Sequence, residues 1–405
     1  MSETLLLEIG IALTGIAVAG AVANRLSLSV IPAYIAMGIL IGPNEPSTIA
    51  GISLTLVDQR EFIDVVAELG IVFLLFFLGV EFSISQLLND RRRIATIGTV
   101  DFLVNFSLGI GLGIAFGYSL LETFFLAGIV YISSSAVISK SLIESGWVAN
   151  AESGPILGTL VFEDILIAIY LALLTAVAGG GGTVVDAAVA IGGAFVFLGG
   201  LTLIAWYGSS VIEQVFDADS DELFLLRILG VTTLVAGFAL TIGLSEAVAA
   251  FFVGTAFSET NHIERIETVV TPARDFFAAV FFFSIGLTTE ITLLTDLVWL
   301  LLAAVLVTTV GKMVSGSLSG RIYRLDRRRS MRVGVGLVPR GEFSLVIATL
   351  AASVGTGALG GEIPVFTVGY VLVMSVVGTL LIQNADRVFE GITAVSRATR
   401  RTETG

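Results

Sequence analysis

Two carboxylates, Glu163 and Asp164, stand side by side in "GPILGTLVFEDILIAIYLALLTAVAG" (154–179), a run otherwise apolar and long enough to cross a bilayer. At that depth each costs roughly 2.5–3.5 kcal/mol on insertion scales. Buried charge survives where it has a partner. Partners exist: Lys312, Arg340 and Glu342 also fall inside apolar runs, and Ser133, Ser134 and Ser135 form a hydroxyl cluster in another. A carboxylate in a partly dry cavity is pushed toward its neutral form, while a nearby cation favours the charged one. Poised between the two, it holds a proton or a monovalent cation but not both, and that competition suffices for exchange. Asp164 is the candidate for this role. Glu163, about 100° further round a helix, cannot fully share its contacts; it can pair with Lys312 or titrate as a second proton site. Structural readings stand beside these. Asp164 could only bond unwound backbone, Lys312 and Arg340 could be plain counter-ions, and the serines could bond back to their own helix. Glu68, Glu81 and Asp101 lie nearer helix ends, where they are expected to face water or a neighbour.

The elements that must position these groups are membrane spans. The chain has 405 residues, 55% of them hydrophobic and only 14% charged, with a mean hydropathy of +0.97. Soluble proteins carry about 25% charged residues. Apolar stretches of bilayer length recur throughout, so the fold class is all-α and polytopic. There are no cysteines, which excludes disulfides and thiolate metal sites, and the single histidine, His262, falls in a polar connection. No cofactor and no metal beyond a transported cation is implied. The formal charge is −13 and the pI about 4.6; all but two of the 21 basic residues are Arg. Acidity with scarce Lys resembles proteins of salt-loving archaea, and nucleic-acid binding has no support.

The pattern predicts about thirteen helices: 5–24, 28–43, 62–83, 94–117, 121–141, 155–178, 184–206, 223–242, 245–259, 273–288, 292–319, 330–354 and 363–386. The segment 5–24 is read as a first span rather than a signal peptide, because Glu3 and Glu8 are the reverse of a positive leader. With the N-terminus outside, every basic residue except Arg60, Lys312 and Arg340 falls in or at the edge of a cytoplasmic connection, or in the C-terminal region that ends in the tail 393–405. That distribution predicts a multi-pass protein of the cell membrane, N-terminus out and C-terminus in. "GGGG" at 179–182 reads as an external loop, and "EQVFDADSDE" at 213–222 as a solvated cytoplasmic one.

On these spans the polar residues share one depth. At 1.5 Å per residue from the cytoplasmic end, Asp164 lies ~14 Å in, Lys312 ~11 Å, Arg340 and Glu342 ~15–18 Å, and Ser133 to Ser135 ~9–12 Å. Two of the helices look broken there. "YISSSAVIS" (131–139) is hydroxyl-rich, and "GLVPRGEFS" (336–344) sets Pro339 and Gly341 around Arg340. Freed backbone groups are tolerated at membrane depth only inside protein or beside a cavity. The chain also repeats: "AYIAMGILIG" (33–42) answers "VAAFFVGTAF" (248–257), Gly38 matching Gly254, and "LGIVFLLFFLGVEFS" (69–83) answers "FFAAVFFFSIGLTTE" (276–290), Gly79 matching Gly286. The matched spans run in opposite directions. Inverted repeats with interrupted helices are the signature of secondary transporters. A partner-gated cation channel is the alternative, though no carbonyl filter sequence is evident; a sodium-coupled organic-anion symporter is another.

"FFLGVEFS", "SSSAVIS", "LVFEDILIAI", "GLSEAVAAFFVGTAFSE", "VFFFSIGLTTE" and "RGEFSLVIA" occur in an order and spacing that resembles the cation:proton antiporter superfamily, and within it the Kef-type potassium/proton branch most. The resemblance implies two discontinuous helices crossing at an ion site, Asp164 as the ion-binding carboxylate with Glu163 before it, and Lys312 facing the pair. It implies 131–139 and 336–344 as the crossing segments. It further implies an ion-transport core of about 62–178 and 273–386, dimerisation helices of about 5–43 and 184–259, a homodimer, and an elevator-like movement of the core. "PRGEF" resembles the Arg-bearing segment of eukaryote-like sodium/proton exchangers, so potassium and sodium both stay open. Kef-type relatives often carry a cytoplasmic nucleotide-binding domain; here such regulation would need a separate subunit. A transporter, not an enzyme, is expected.

Overall fold

The computed structural model describes residues 5–179 and 213–390, apart from 27–28, 45–47, 50–51, 54, 58–60, 82–83, 148, 214, 242–245 and 259. Helices dominate. In chain order they are α1 (Leu5–Arg25), α2 (Val30–Ile41), α3 (Glu61–Glu81), α4 (Ile84–Ala115), α5 (Leu120–Tyr131), α6 (Ser135–Glu144) and α7 (Ser153–Gly179). There follow α8 (Asp221–Thr241), α9 (Glu246–Phe257), α10 (Ile263–Val269), α11 (Thr271–Thr288), α12 (Val298–Ile322), α13 (Arg327–Gly336), α14 (Glu342–Val354) and α15 (Glu362–Gln383). The strands among the described residues are a two-residue antiparallel ribbon, Thr48–Ile49 with Ile52–Ser53.

Among the described residues seven helices are long and apolar enough to cross a membrane, or eight if α10 and α11, bent by 53°, form one span. The spans expected at 121–141 and 330–354 each consist of two helices, α5 with α6 and α13 with α14. The helix expected to begin at 292 begins at Val298, after a 3-10 turn at Ile291–Thr295. The expected span 184–206, residues 180–182 of the Gly tract and the tail 393–405 lie outside the described residues. Faces meant for lipid carry apolar side chains outward, as at Leu6, Leu234, Trp299 and Leu306.

The chain packs as two compact units, one taking in 1–26, 30–90 and 164–292, the other 27–29, 91–163 and 293–405. This is a division by packing, distinct from the expected functional one into core and dimerisation helices. It falls within α7, between Glu163 and Asp164. The first unit has a core around Ile16, Ile41, Phe283 and Leu287; the second has one around Ile138, Leu160, Val333 and Ile382.

Glycine sets the close crossings of the first unit. A Cβ on Gly38 of α2 would overlap the carbonyl oxygen of Phe283, and one on Gly286 of α11 that of Ile35. In the same way a Cβ on Gly79 of α3 would overlap Phe251 O, and one on Gly254 of α9 would overlap Phe76 O. Each glycine thus packs against the repeat-mate of its own sequence counterpart, and the pairing Gly38·Gly286 repeats as Gly254·Gly79. That reciprocity is what a two-fold relation between inverted halves produces. Small residues allow such backbone approach where no hydrophobic effect drives helices together. Gly254→Val should therefore cost about 1–3 kcal/mol or more, whereas Gly237→Val, with open space around it, should cost little. Melting of the detergent-purified variants checks this; equal melting temperatures would contradict the crossing.

Candidate functional site

The second unit holds two helix breaks that face each other. Helix α5 ends at Tyr131, and Ile132 turns extended at φ −69°, ψ 133°. Its orphan carbonyls would be costly in a dry interior. They are met from the other break: Ser344 Oγ donates to Ile129 O (2.8 Å) and Arg340 Nε to Val130 O (3.1 Å). Pro339, lacking an N–H, interrupts the second helix. The carbonyls freed there are met in turn. Arg340 Nη1 reaches Leu337 O at 3.0 Å and Val338 O at 2.7 Å, Ser133 Oγ lies 3.2 Å from Leu337 O, and Ser134 N donates to Pro339 O at 3.0 Å. The expected crossing segments, 131–139 and 336–344, therefore bond each other directly.

Two helices start at the crossing. Ser134 caps α6 by accepting from Val137 N at 3.2 Å, and its Oγ donates to Glu342 Oε2 at 2.5 Å. Glu342 is the first residue of α14, where the positive end of the helix favours a carboxylate. Ser135 is the first residue of α6 and half-buried.

Helix α7 brings Glu163 to the first break. The carboxylate accepts from Ser133 N at 2.7 Å and Ser133 Oγ at 3.0 Å. Lys312 of α12 donates to its Oε1 at 2.5 Å, with both side chains fully buried. Lys312 and Glu163 thus form a buried ion pair. The ammonium also lies 4.9 Å from the centroid of the Tyr131 ring, a further stabilising contact for a cation. Asp164 is the next residue of α7 and is half-buried. Arg340 serves as a donor to backbone at the crossing, and its Nη2 finds no hydrogen-bond partner among the described residues.

One residue lies deeper than the sequence suggested. Asp101, expected near a helix end against water or a neighbour, is fully buried in α4 and accepts from Lys312 Nζ at 2.6 Å. Ser315 Oγ and Asn105 Nδ2 donate to its other oxygen at 2.6 Å and 2.9 Å. A signal was available: Asp101 and Asn105 are four apart, hence on one helix face, and Asp101 is seven residues into the expected span 94–117. Glu68, by contrast, is exposed as expected.

Because a lysine cannot reproduce the guanidinium fork, Arg340→Lys should lose contacts to at least one crossing carbonyl. Hydrogen bonds to charged groups are worth about 1.5–3 kcal/mol. The variant should melt lower and transport at least about tenfold more slowly; wild-type melting and rate would show that the positive charge alone matters.

A model of the family described as "Sodium/hydrogen exchanger, transmembrane" matches residues 11–384. The chain is 38% identical over 388 residues to the K(+)/H(+) antiporter subunit KhtU of Bacillus subtilis, covering 96% of this chain and 95% of that one. It is 27% identical over 385 residues to the ammonium/H(+) antiporter subunit AmhT of Alkalihalophilus pseudofirmus, with 95% and 94% covered. Its fold matches that of the sodium proton antiporter MjNhaP1 from Methanocaldococcus jannaschii with a TM-score of 0.64 at 15% identity, over 97% and 99% of the two chains. The chain belongs to the transmembrane sodium/hydrogen exchanger family: it is a multi-pass monovalent cation/proton antiporter, a transporter and not an enzyme.

Proposed function

We propose that the exchange runs through Asp164, which binds either the cation or a proton, while Glu163, the residue before it, forms a charged frame with Lys312. The observation that carries this reading is the bonding of Glu163: both its oxygens are taken by Lys312 and Ser133, which commits that carboxylate to the frame. Asp164, half-buried on the next turn position of the same helix, keeps the intermediate environment in which proton and cation can compete. Ser133 and Ser134 stand in the unwound segment, where hydroxyls and freed backbone groups suit a partly dehydrated monovalent ion. Arg340 and Glu342 line the crossing and hold its geometry.

Potassium is the favoured cation. The support is the likeness to the Bacillus potassium/proton antiporter subunit over nearly the full length of both chains; the likeness to an ammonium/proton antiporter subunit makes ammonium, an ion of similar radius, the second to test. Both relatives are named as subunits, which supports a separate regulatory partner for this chain as well. The distribution of basic residues supports insertion in the cell membrane with the N-terminus outside. The resemblance supports a homodimer whose core, 62–178 with 273–386, moves against dimerisation helices 5–43 and 184–259.

The test is proton flux in proteoliposomes under an imposed pH gradient, with potassium, ammonium, sodium and lithium added singly. Potassium should dissipate the gradient, and Asp164→Asn should abolish the response. Undiminished exchange in Asp164→Asn would refute the assigned site. Current carried by potassium with no proton movement would favour a channel.

A further inference from the structure

Asp101 has no task in the exchange as proposed, yet its carboxylate accepts three side-chain hydrogen bonds. Its Oδ2 takes Lys312 Nζ at 2.6 Å. Its Oδ1 takes Ser315 Oγ at 2.6 Å and Asn105 Nδ2 at 2.9 Å. Asn105 also donates to Ser315 Oγ at 3.0 Å and to the Asp101 carbonyl at 3.0 Å. Asp101, Asn105, Lys312 and Ser315 are all fully buried. Among the described residues the groups that hold Asp101 come from α4 and α12. Glu163, on α7, reaches the same ammonium from a different helix and is tied to the broken segment through Ser133.

Count the charges: two carboxylates share one ammonium. Were Glu163 the sole partner of Lys312, any step that separated them would leave a bare buried ammonium, a desolvated charge with nothing to offset its cost. The pair would be a lock. A second carboxylate already bonded to the ammonium removes that penalty, because Lys312 keeps an ionic partner throughout.

We infer that Asp101 is a positioning residue of the exchange cycle: the fixed counter-ion of Lys312, which lets the Lys312–Glu163 contact open and close as α7 and the broken helix change state. Asn105 and Ser315 hold Asp101 in register for this. The inference rests on the exchange reading above for its transport consequence, while the counter-ion claim itself rests on the cluster alone.

Two readouts test it. In thermal unfolding of the purified protein, Lys312→Gln leaves two carboxylates facing each other without a cation, so adding Asp101→Asn should raise the melting temperature of Lys312→Gln. A double variant no more stable than Lys312→Gln would overturn the counter-ion role, and this readout needs no transport. In proteoliposomes, folded Asp101→Asn should exchange at least tenfold more slowly with an apparent KM for potassium near that of wild type, because the lock now holds, and Asp101→Glu should recover part of the rate. Should Asp101→Asn fail to fold, Ser315→Ala, which only loosens Asp101, should slow turnover about threefold at unchanged KM. Wild-type turnover in folded Asp101→Asn, or in Ser315→Ala where that is the variant measured, would overturn the positioning role. Asp164→Asn run alongside separates the two readings: if it still exchanges while Asp101→Asn is slow, the assigned ion site fails and the role of Asp101 stands.

Discussion

A lysine with no exposure at all must be compensated completely, and the second unit is organised around doing so. Two carboxylates meet Lys312 within ordinary ion-pair distance. Those carboxylates are then obligations in turn. Glu163 is satisfied by Ser133, which fixes α7 to the first break; Asp101 is satisfied by Asn105 and Ser315, which fixes α4 to α12. A buried ion pair is weak evidence for net stability, since apolar replacements of equal shape often do as well. Its presence in a chain this apolar is better explained by work that needs charge.

The crossing follows the same rule for neutral groups. Interrupting two helices frees carbonyls that lipid cannot satisfy, and each break supplies donors to the other. Arg340 spans both, reaching Val130 on one side and Leu337 and Val338 on the other. The unwound segments are thereby held open without collapsing into continuous helix, which is the condition for putting hydroxyls and helix N-termini beside an ion path. These bonds act together with the apolar packing around Ile138, Val335 and Leu337.

Much of this was legible in the sequence. The breaks were readable from Pro339, Gly341 and the serine cluster, because proline and hydroxyl chemistry act locally. The reciprocal glycine crossings were half-readable: the internal match named Gly38, Gly79, Gly254 and Gly286, but not which would meet, since that depends on how the halves pack. Asp101 was missed for a different reason. Its partner, Lys312, lies 211 residues away, and nearness to an expected helix end was read as facing water or a neighbour. By the depth argument that gathered Lys312 and Asp164, Asp101 lies about 10 Å into its helix, in the same slab. Arg340 was legible as a buried cation but not as a backbone donor, because the carbonyls it serves belong partly to another helix.

The central claim is that proton and cation compete for one carboxylate, and it is tested most directly by the apparent KM for potassium measured across pH in proteoliposomes of the purified protein. Competition predicts a KM that rises about tenfold for each pH unit below the pKa of the site, levels off above it, and leaves the maximal rate unchanged. A KM indifferent to pH, with only the maximal rate varying, would place proton and cation at separate sites and contradict the account.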